Sequence, residues 1–327
     1  MDILVNIGLF IVGLILIVKG ADWLTDGAAS VARRFGIPSL VVGLTIVAMG
    51  SSAPELVVSV VAAIQGNVDM ALGNVVGSNI FNILAIMGIT AIVRPINVER
   101  GNIRNDVPFA VLSSFVIVVT AFDSFFSANT TENNISRTDG LLMLCMFAIF
   151  ISYTLSIASP AKTNSEEPQD DSSKEASLLS STLWIIIGLA CLILGGNWLV
   201  DGASGIASAL GVSDSIIALT IVSAGTSAPE LAASVMAARK GDTAMALGNV
   251  VGSCVFNVFF VLGTASTIRP LGIGGITGFD ICTLLTASCI LWLFCRFGKT
   301  HLTLTRAEGV IMTIMAVAYY TILVYNA

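Results

Sequence analysis

Apolar residues run along this chain in long blocks with almost no polar alternation, and the polar residues collect in short gaps between them. Blocks of the length that crosses a hydrocarbon layer, about 17 residues or more, fall near 3–19, 39–64, 70–93, 107–122, 139–157, 182–200, 214–237, 245–268, 278–295 and 307–325. The pattern predicts ten transmembrane helices. The first block lacks a basic leader and a small-residue cleavage site, so a retained helix is expected there rather than a signal peptide.

The polar residues inside the blocks are more telling. GSSAPELVVSV at 50–60 places Glu55 at the head of an apolar run, and GTSAPELAASV at 225–235 does the same with Glu230. Sliding the chain by 175 residues aligns 43–95 with 218–270 without a gap, and 29 of those 53 positions are identical. This is an internal duplication. It extends upstream, where Trp23 meets Trp198 and Asp26 meets Asp201. Each unit, 1–158 and 182–327, then holds five helices, and an odd number sets the second copy upside down in the membrane. Between them, 159–181 is polar, acidic and poor in apolar residues, as expected of a flexible linker. Its acidic spacing lacks the glycine and terminal glutamate of a calcium loop.

Composition fixes the solvent. With 55% apolar residues, a mean hydropathy of +0.92 and only 11% charged residues, against about a quarter charged in soluble domains, the chain is expected to be an all-α integral membrane protein in a lipid bilayer, with no nucleic-acid partner. Lys and Arg set its orientation. With the N-terminus outside, one set of loops holds Arg33, Arg34, Arg94, Arg100, Arg104, Lys162, Lys174, Arg239, Lys240, Arg296, Lys299 and Arg306, and the other only Arg137 and Arg269. Twelve against two predicts a cell-membrane protein with both termini outside and the 159–181 linker in the cytoplasm. The six cysteines lie in apolar blocks without metal or disulfide spacing, and are read as packing residues.

An ionised side chain near the bilayer centre costs at least about 2.5 kcal/mol on insertion scales, so Glu55 and Glu230 need compensation. Pro54 and Pro229 each remove a backbone donor one residue earlier and must break the helix. Freed carbonyls at such a break can coordinate a cation when protein or water surrounds them, and Ala48 and Ser223 are placed to supply them. The next helix of each unit adds Ser78 and Asn82, then Ser253 and Asn257, four apart and on one face. Gly73, Gly77, Gly248 and Gly252 form small-xxx-small patterns that allow close helix approach. Gathered about the pseudo-twofold, these groups make an all-oxygen set without His or Cys, which suits hard cations such as calcium or sodium and not zinc or copper.

The paired G[ST]S-x-PE and GN-x-x-GS motifs resemble the alpha repeats of the sodium/calcium exchanger family, within the calcium/cation antiporter superfamily, and the prokaryotic type in particular. The resemblance covers nearly the whole chain. It implies binding residues Ser51, Ser52, Glu55, Ser78 and Asn82 in the first half and Thr226, Ser227, Glu230, Ser253 and Asn257 in the second. It also implies calcium and sodium as transported ions, a third sodium that makes exchange electrogenic, and a moving first helix in each unit. Two positions depart from the family pattern: Asn257, where some prokaryotic relatives carry aspartate, and Ser51, where threonine is usual.

Asp22, Asp26 and Asp201 are read as water-facing groups near helix ends, and Trp23 and Trp198 as interfacial anchors. An antiporter without cofactor, acting as a monomer, is the expected function. Its counter-ion is expected to be sodium, with the proton as the alternative. A cation channel would more naturally build a pore from several subunits, and an acid protease would leave the polar side chains around the carboxylates without use.

Overall fold

The computed structural model describes residues 3–99, 101, 105–122, 133–158, 177–211, 223–273, 275–297 and 302–326. The described chain is helical apart from four two-residue strands. In order, the helices are α1 Ile3–Phe35, α2 Ser39–Ser51, α3 Ala53–Gln65, α4 Met70–Val93, α5 Val107–Ala121, α6 Arg137–Ile157, α7 Leu178–Ala209, α8 Ser223–Thr226, α9 Ala228–Lys240, α10 Thr243–Ile268, α11 Gly278–Phe297 and α12 Arg306–Asn326. Seven are long and apolar enough to cross a membrane, and α2 with α3 forms an eighth such span, bent by 48°. α5 is a shorter apolar helix. Of the block expected at 214–237, residues 214–222 lie outside the described set and the rest form α8 and α9.

Two helices outrun their expected bounds. α1 has 33 residues and α7 has 32, so the blocks at 3–19 and 182–200 are only parts of longer helices. At about 1.5 Å of rise per residue, each approaches 50 Å, well beyond a hydrocarbon core of about 30 Å. α7 also begins inside the segment read as linker: Ser177 caps it by accepting the Ser180 N–H. The two long helices pack along each other through glycines. A Cβ on Gly20 would sit 2.8 Å from the Gly188 carbonyl oxygen, and one on Gly195 2.8 Å from that of Gly13. Such contact draws two helices together in lipid, where apolar area gives no net drive.

The buried centre is formed by α4 and α10, whose spanning windows are 78% and 94% buried, against 22% and 28% for α1 and α7. Gly248 and Gly252 seat α10 on α2, since a Cβ there would fall 2.5 Å from the Leu40 and 2.6 Å from the Leu44 carbonyl oxygens. Gly73 has no comparable contact among the described residues; the nearest atom to its Cβ position is Ile276 Cδ1 at 3.7 Å. π-helical turns occur at Gly43–Val47, Phe81–Ile86 and Phe256–Leu262, a geometry that collects at functional places in helices.

The two halves are joined at several points. β1 (Ile96–Asn97) pairs antiparallel with β4 (Thr303–Leu304), and β2 (Asn134–Ile135) with β3 (Leu271–Gly272). Within the first half, Asp106 accepts a hydrogen bond from Tyr153 at 2.9 Å, and within the second, Asp280 accepts one from Tyr319 at 2.8 Å. Asp22 and Asp26 lie within α1 rather than near its ends, where Lys240 pairs with both at 2.6 and 2.7 Å. The expectation that these two aspartates sit near a helix end is therefore corrected, while Asp26 remains exposed and both carry an ion pair. Trp23 contacts Trp184, with ring centroids 5.5 Å apart.

Candidate functional site

Both proline-bearing segments break as their sequence requires. Ser52 ends α2 with φ −85° and ψ 11°, and Ser227 lies between α8 and α9 with φ −91° and ψ 9°. These are the sparsely used bridge-region angles often found at active sites. Pro54 and Pro229 then occupy the first turn of the helix that follows, where a missing N–H costs nothing. The glutamate after each proline therefore lies in the first turn of α3 or α9, at the helix end that favours negative charge.

The breaks bring the carboxylates to one centre. Glu55 and Glu230 are both fully buried. Ser52 donates through Oγ to Glu230 Oε1 at 2.7 Å, and Ser227 donates to Glu55 Oε1 at 3.2 Å. Each half thus supplies the hydroxyl that holds the other half's carboxylate. Ser51 donates to the Ala48 carbonyl and to Asn249 Oδ1, both at 3.3 Å, another link between halves.

Ser78 and Asn82 are buried on α4, and Ser253 and Asn257 on α10. Thr226 is half-buried on α8, which Ser223 opens. Among the described residues, Glu55 Oε2, Glu230 Oε2, Asn82 Oδ1, Ser253 Oγ and Asn257 Oδ1 are buried oxygens without a hydrogen-bond partner. Buried polar atoms are nearly always satisfied, so a cluster of exceptions calls for an explanation. The Ala48 carbonyl is not fully freed, since it keeps the Ser52 N–H at 3.0 Å as well as the Ser51 hydroxyl.

Three further residues belong to this geometry and were not among the sequence candidates. Asn74 donates to the Glu55 carbonyl at 3.2 Å and to Ser59 Oγ at 2.9 Å. Asn249 repeats this with the Glu230 carbonyl at 3.2 Å and Ser234 Oγ at 2.8 Å. These amides tie each re-started helix to its neighbour. The GN-x-x-GS motif contained them, but their targets became visible only once the break was in place. The third is Asn79, which bridges α4 and α10 by donating to the Cys254 carbonyl at 3.1 Å.

A many-helix membrane protein with a buried, oxygen-rich polar centre between two proline-marked helix breaks belongs to the class of membrane transporters. The comparisons narrow this class. The model of the sodium/calcium exchanger protein family matches residues 5–156 and 180–325. CaxA of Alkalimonas amylolytica is 39% identical over 318 residues, covering 96% of this chain and 97% of its own. The sodium/calcium exchanger MaX1 of Methanosarcina acetivorans is 29% identical across 99% of both chains. A solved structure of the sodium-calcium exchanger NCX_Mj, soaked with 10 mM sodium and no calcium, superposes with a TM-score of 0.82 at 30% identity over 99% of both chains. The chain belongs to the sodium/calcium exchanger family. It is a multi-pass membrane transport protein and not an enzyme.

Proposed function

We propose that this protein exchanges calcium for sodium across the cell membrane by alternating access, with Glu55 and Glu230 as the charged ligands of a single site. The observation that carries the reading is the reciprocal pairing of Ser52 with Glu230 and Ser227 with Glu55, which leaves one oxygen of each buried carboxylate unpartnered. Two carboxylates that close, both out of water, cannot stay ionised without a counter-charge. One calcium supplies it, or two sodium ions, so the two loads exclude each other. The empty, doubly charged centre is too costly to move through an apolar gate and the loaded one is not, which favours exchange over leak.

The remaining ligands proposed are Ser51, Ser52, Ser78, Asn82, Thr226, Ser227, Ser253 and Asn257, with the carbonyls of Ala48 and Ser223. Hydroxyl and amide oxygens around a carboxylate pair give calcium the six to eight positions it takes and leave room for sodium. The duplication supports two inverted five-helix units, ten helices in all, with the site at their interface. The glycine seam between α1 and α7 supports their movement as one unit over the α4–α10 core. A third sodium, implied by the family resemblance, would carry one positive charge per cycle. The Arg and Lys distribution supports termini outside and the 159–181 linker inside.

The test is calcium uptake into vesicles containing the purified protein, driven first by an outward sodium gradient and then by an outward proton gradient. Sodium should drive uptake and protons alone should not. Uptake with the proton gradient alone would replace sodium by protons as counter-ion, and uptake without any counter-ion gradient would make the protein a channel.

A further inference from the structure

The Asn79–Cys254–Asn257 cluster has a logic set by donor and acceptor chemistry. The Cys254 carbonyl can only accept, so the Asn79 amide must turn its Nδ2 toward it, as it does at 3.1 Å. The Asn79 Oδ1 then faces Asn257. An amide oxygen also only accepts, so Asn257 must offer Nδ2, again at 3.1 Å. One end of the relay is a backbone atom, and the orientation of both side chains follows from it. The consequence is that Asn257 Oδ1 is turned away from the bridge, in a residue with no solvent exposure, and left without a partner.

The other half has no such relay. The residue 175 positions from Asn79 is Cys254 itself, whose thiol stands where the second amide would be. The counterpart of Asn257 is Asn82, and among the described residues both its Nδ2 and its Oδ1 lack a partner. One amide is held and the other is not.

A carboxamide serves a cation only through its oxygen, and its NH2 turned inward would repel the ion. We propose that Asn79 is a positioning residue of the ion site: it occupies the NH2 of Asn257 and so fixes that oxygen as a permanent ligand for a hard divalent cation. This rests on the reading of Asn257 as a ligand. Asn82, unheld, can turn either end of its amide to the site as the load changes between calcium and sodium.

The test measures sodium-driven calcium uptake in vesicles for the parent, Asn79→Leu, Asn257→Leu, Asn257→Asp and the double variant Asn79→Leu/Asn257→Asp. Leucine fills a similar volume without polar atoms. Asn79→Leu should raise the calcium KM about tenfold, the loss of about one well-placed interaction, with kcat changed far less. On the Asn257→Asp background the same substitution should not raise KM, because both ends of a carboxylate are oxygens and need no orienting, and the Asn79 Oδ1 that is removed would there face a second acceptor. An equal rise on both backgrounds would reduce Asn79 to a packing role and overturn the proposal, as would an unchanged KM in Asn79→Leu. If Asn257→Leu leaves KM at the parent value, the ligand reading itself fails; if it raises KM while Asn79→Leu does not, only the positioning role fails. Should Asn79→Leu not fold, Asn79→Cys, the residue tolerated at the equivalent place on α10, carries the same expectations.

Discussion

The two copies of the repeated segment, 43–95 and 218–270, agree at the break serine, the proline and the glutamate, and differ at other positions along the same helices. Each copy breaks at a serine with nearly the same backbone angles, restarts at a proline, and ties the restarted helix down with an asparagine on the next helix. Of the positions that differ, Asn79 against Cys254 lies inside, and Gln65 against Lys240 lies at the end of the restarted helix. Lys240 reaches Asp22 and Asp26 of α1, an ion pair that a glutamine at position 65 cannot match by charge. Sameness at the centre fits a site that must present one geometry from either half. The differences lie where the halves can be given separate tasks, one amide fixed and one free, one end of the core pinned to α1 by charge and the other not.

The largest effect that bears on the sameness concerns the paired asparagines. Asn74→Leu leaves the Glu55 carbonyl and Ser59 without this donor, and Asn249→Leu does the same to the Glu230 carbonyl and Ser234. Each unmet buried group costs about 1–3 kcal/mol. Both variants should melt several degrees below the parent in detergent and lose calcium transport, by similar amounts. A loss confined to one variant would mean that only one break is held in this way.

A smaller effect separates the buried aspartate–tyrosine pairs. Asp280 also accepts the N–H and hydroxyl of Thr277, at 2.8 and 2.7 Å, whereas the bond described for Asp106, which immediately precedes α5 and makes no side-chain capping bond to it, is from Tyr153. Burial raises the Asp106 carboxyl to about 6 from an ordinary 3.8, with Glu99 adding to the rise and the Tyr153 bond opposing it. Between about pH 4 and 6 the folded chain then holds more protons than the unfolded one. The stabilisation tied to this proton is complete below about pH 4 and is lost as pH rises through about 6. Asp106→Asn keeps an acceptor for Tyr153 and cannot ionise. Its melting temperature should gain on the parent's progressively across that window and hold the gain above it; parallel profiles would show that Asp106 does not carry this proton.

Much of this comparison was legible in the sequence because it consists of departures from an apolar background. Glu55, Glu230, Pro54 and Pro229 each violate a rule of membrane helices, and the 175-residue repeat marks them as a pair. What could not be read were long-range choices. α1 and α7 continue along the glycine seam between them, whereas counting apolar residues ended both helices early, just before Asp22 and Asp201. Lys240 was visible as a basic loop residue, but its partners are more than 200 positions away. Asn79 had no signal of its own, since its part depends on a carbonyl and an amide of the other half.

The central claim is that Glu55 and Glu230 form one site and not two, and equilibrium binding of radioactive calcium to the purified, sodium-free protein tests it most directly. The parent should bind one calcium per chain with high affinity. Glu55→Gln and Glu230→Gln should each abolish that binding entirely while the protein stays folded, because one remaining carboxylate is too little charge for a dehydrated divalent ion. Two calcium ions per chain in the parent, with one left in each single variant, would mean two separate sites and would contradict the account.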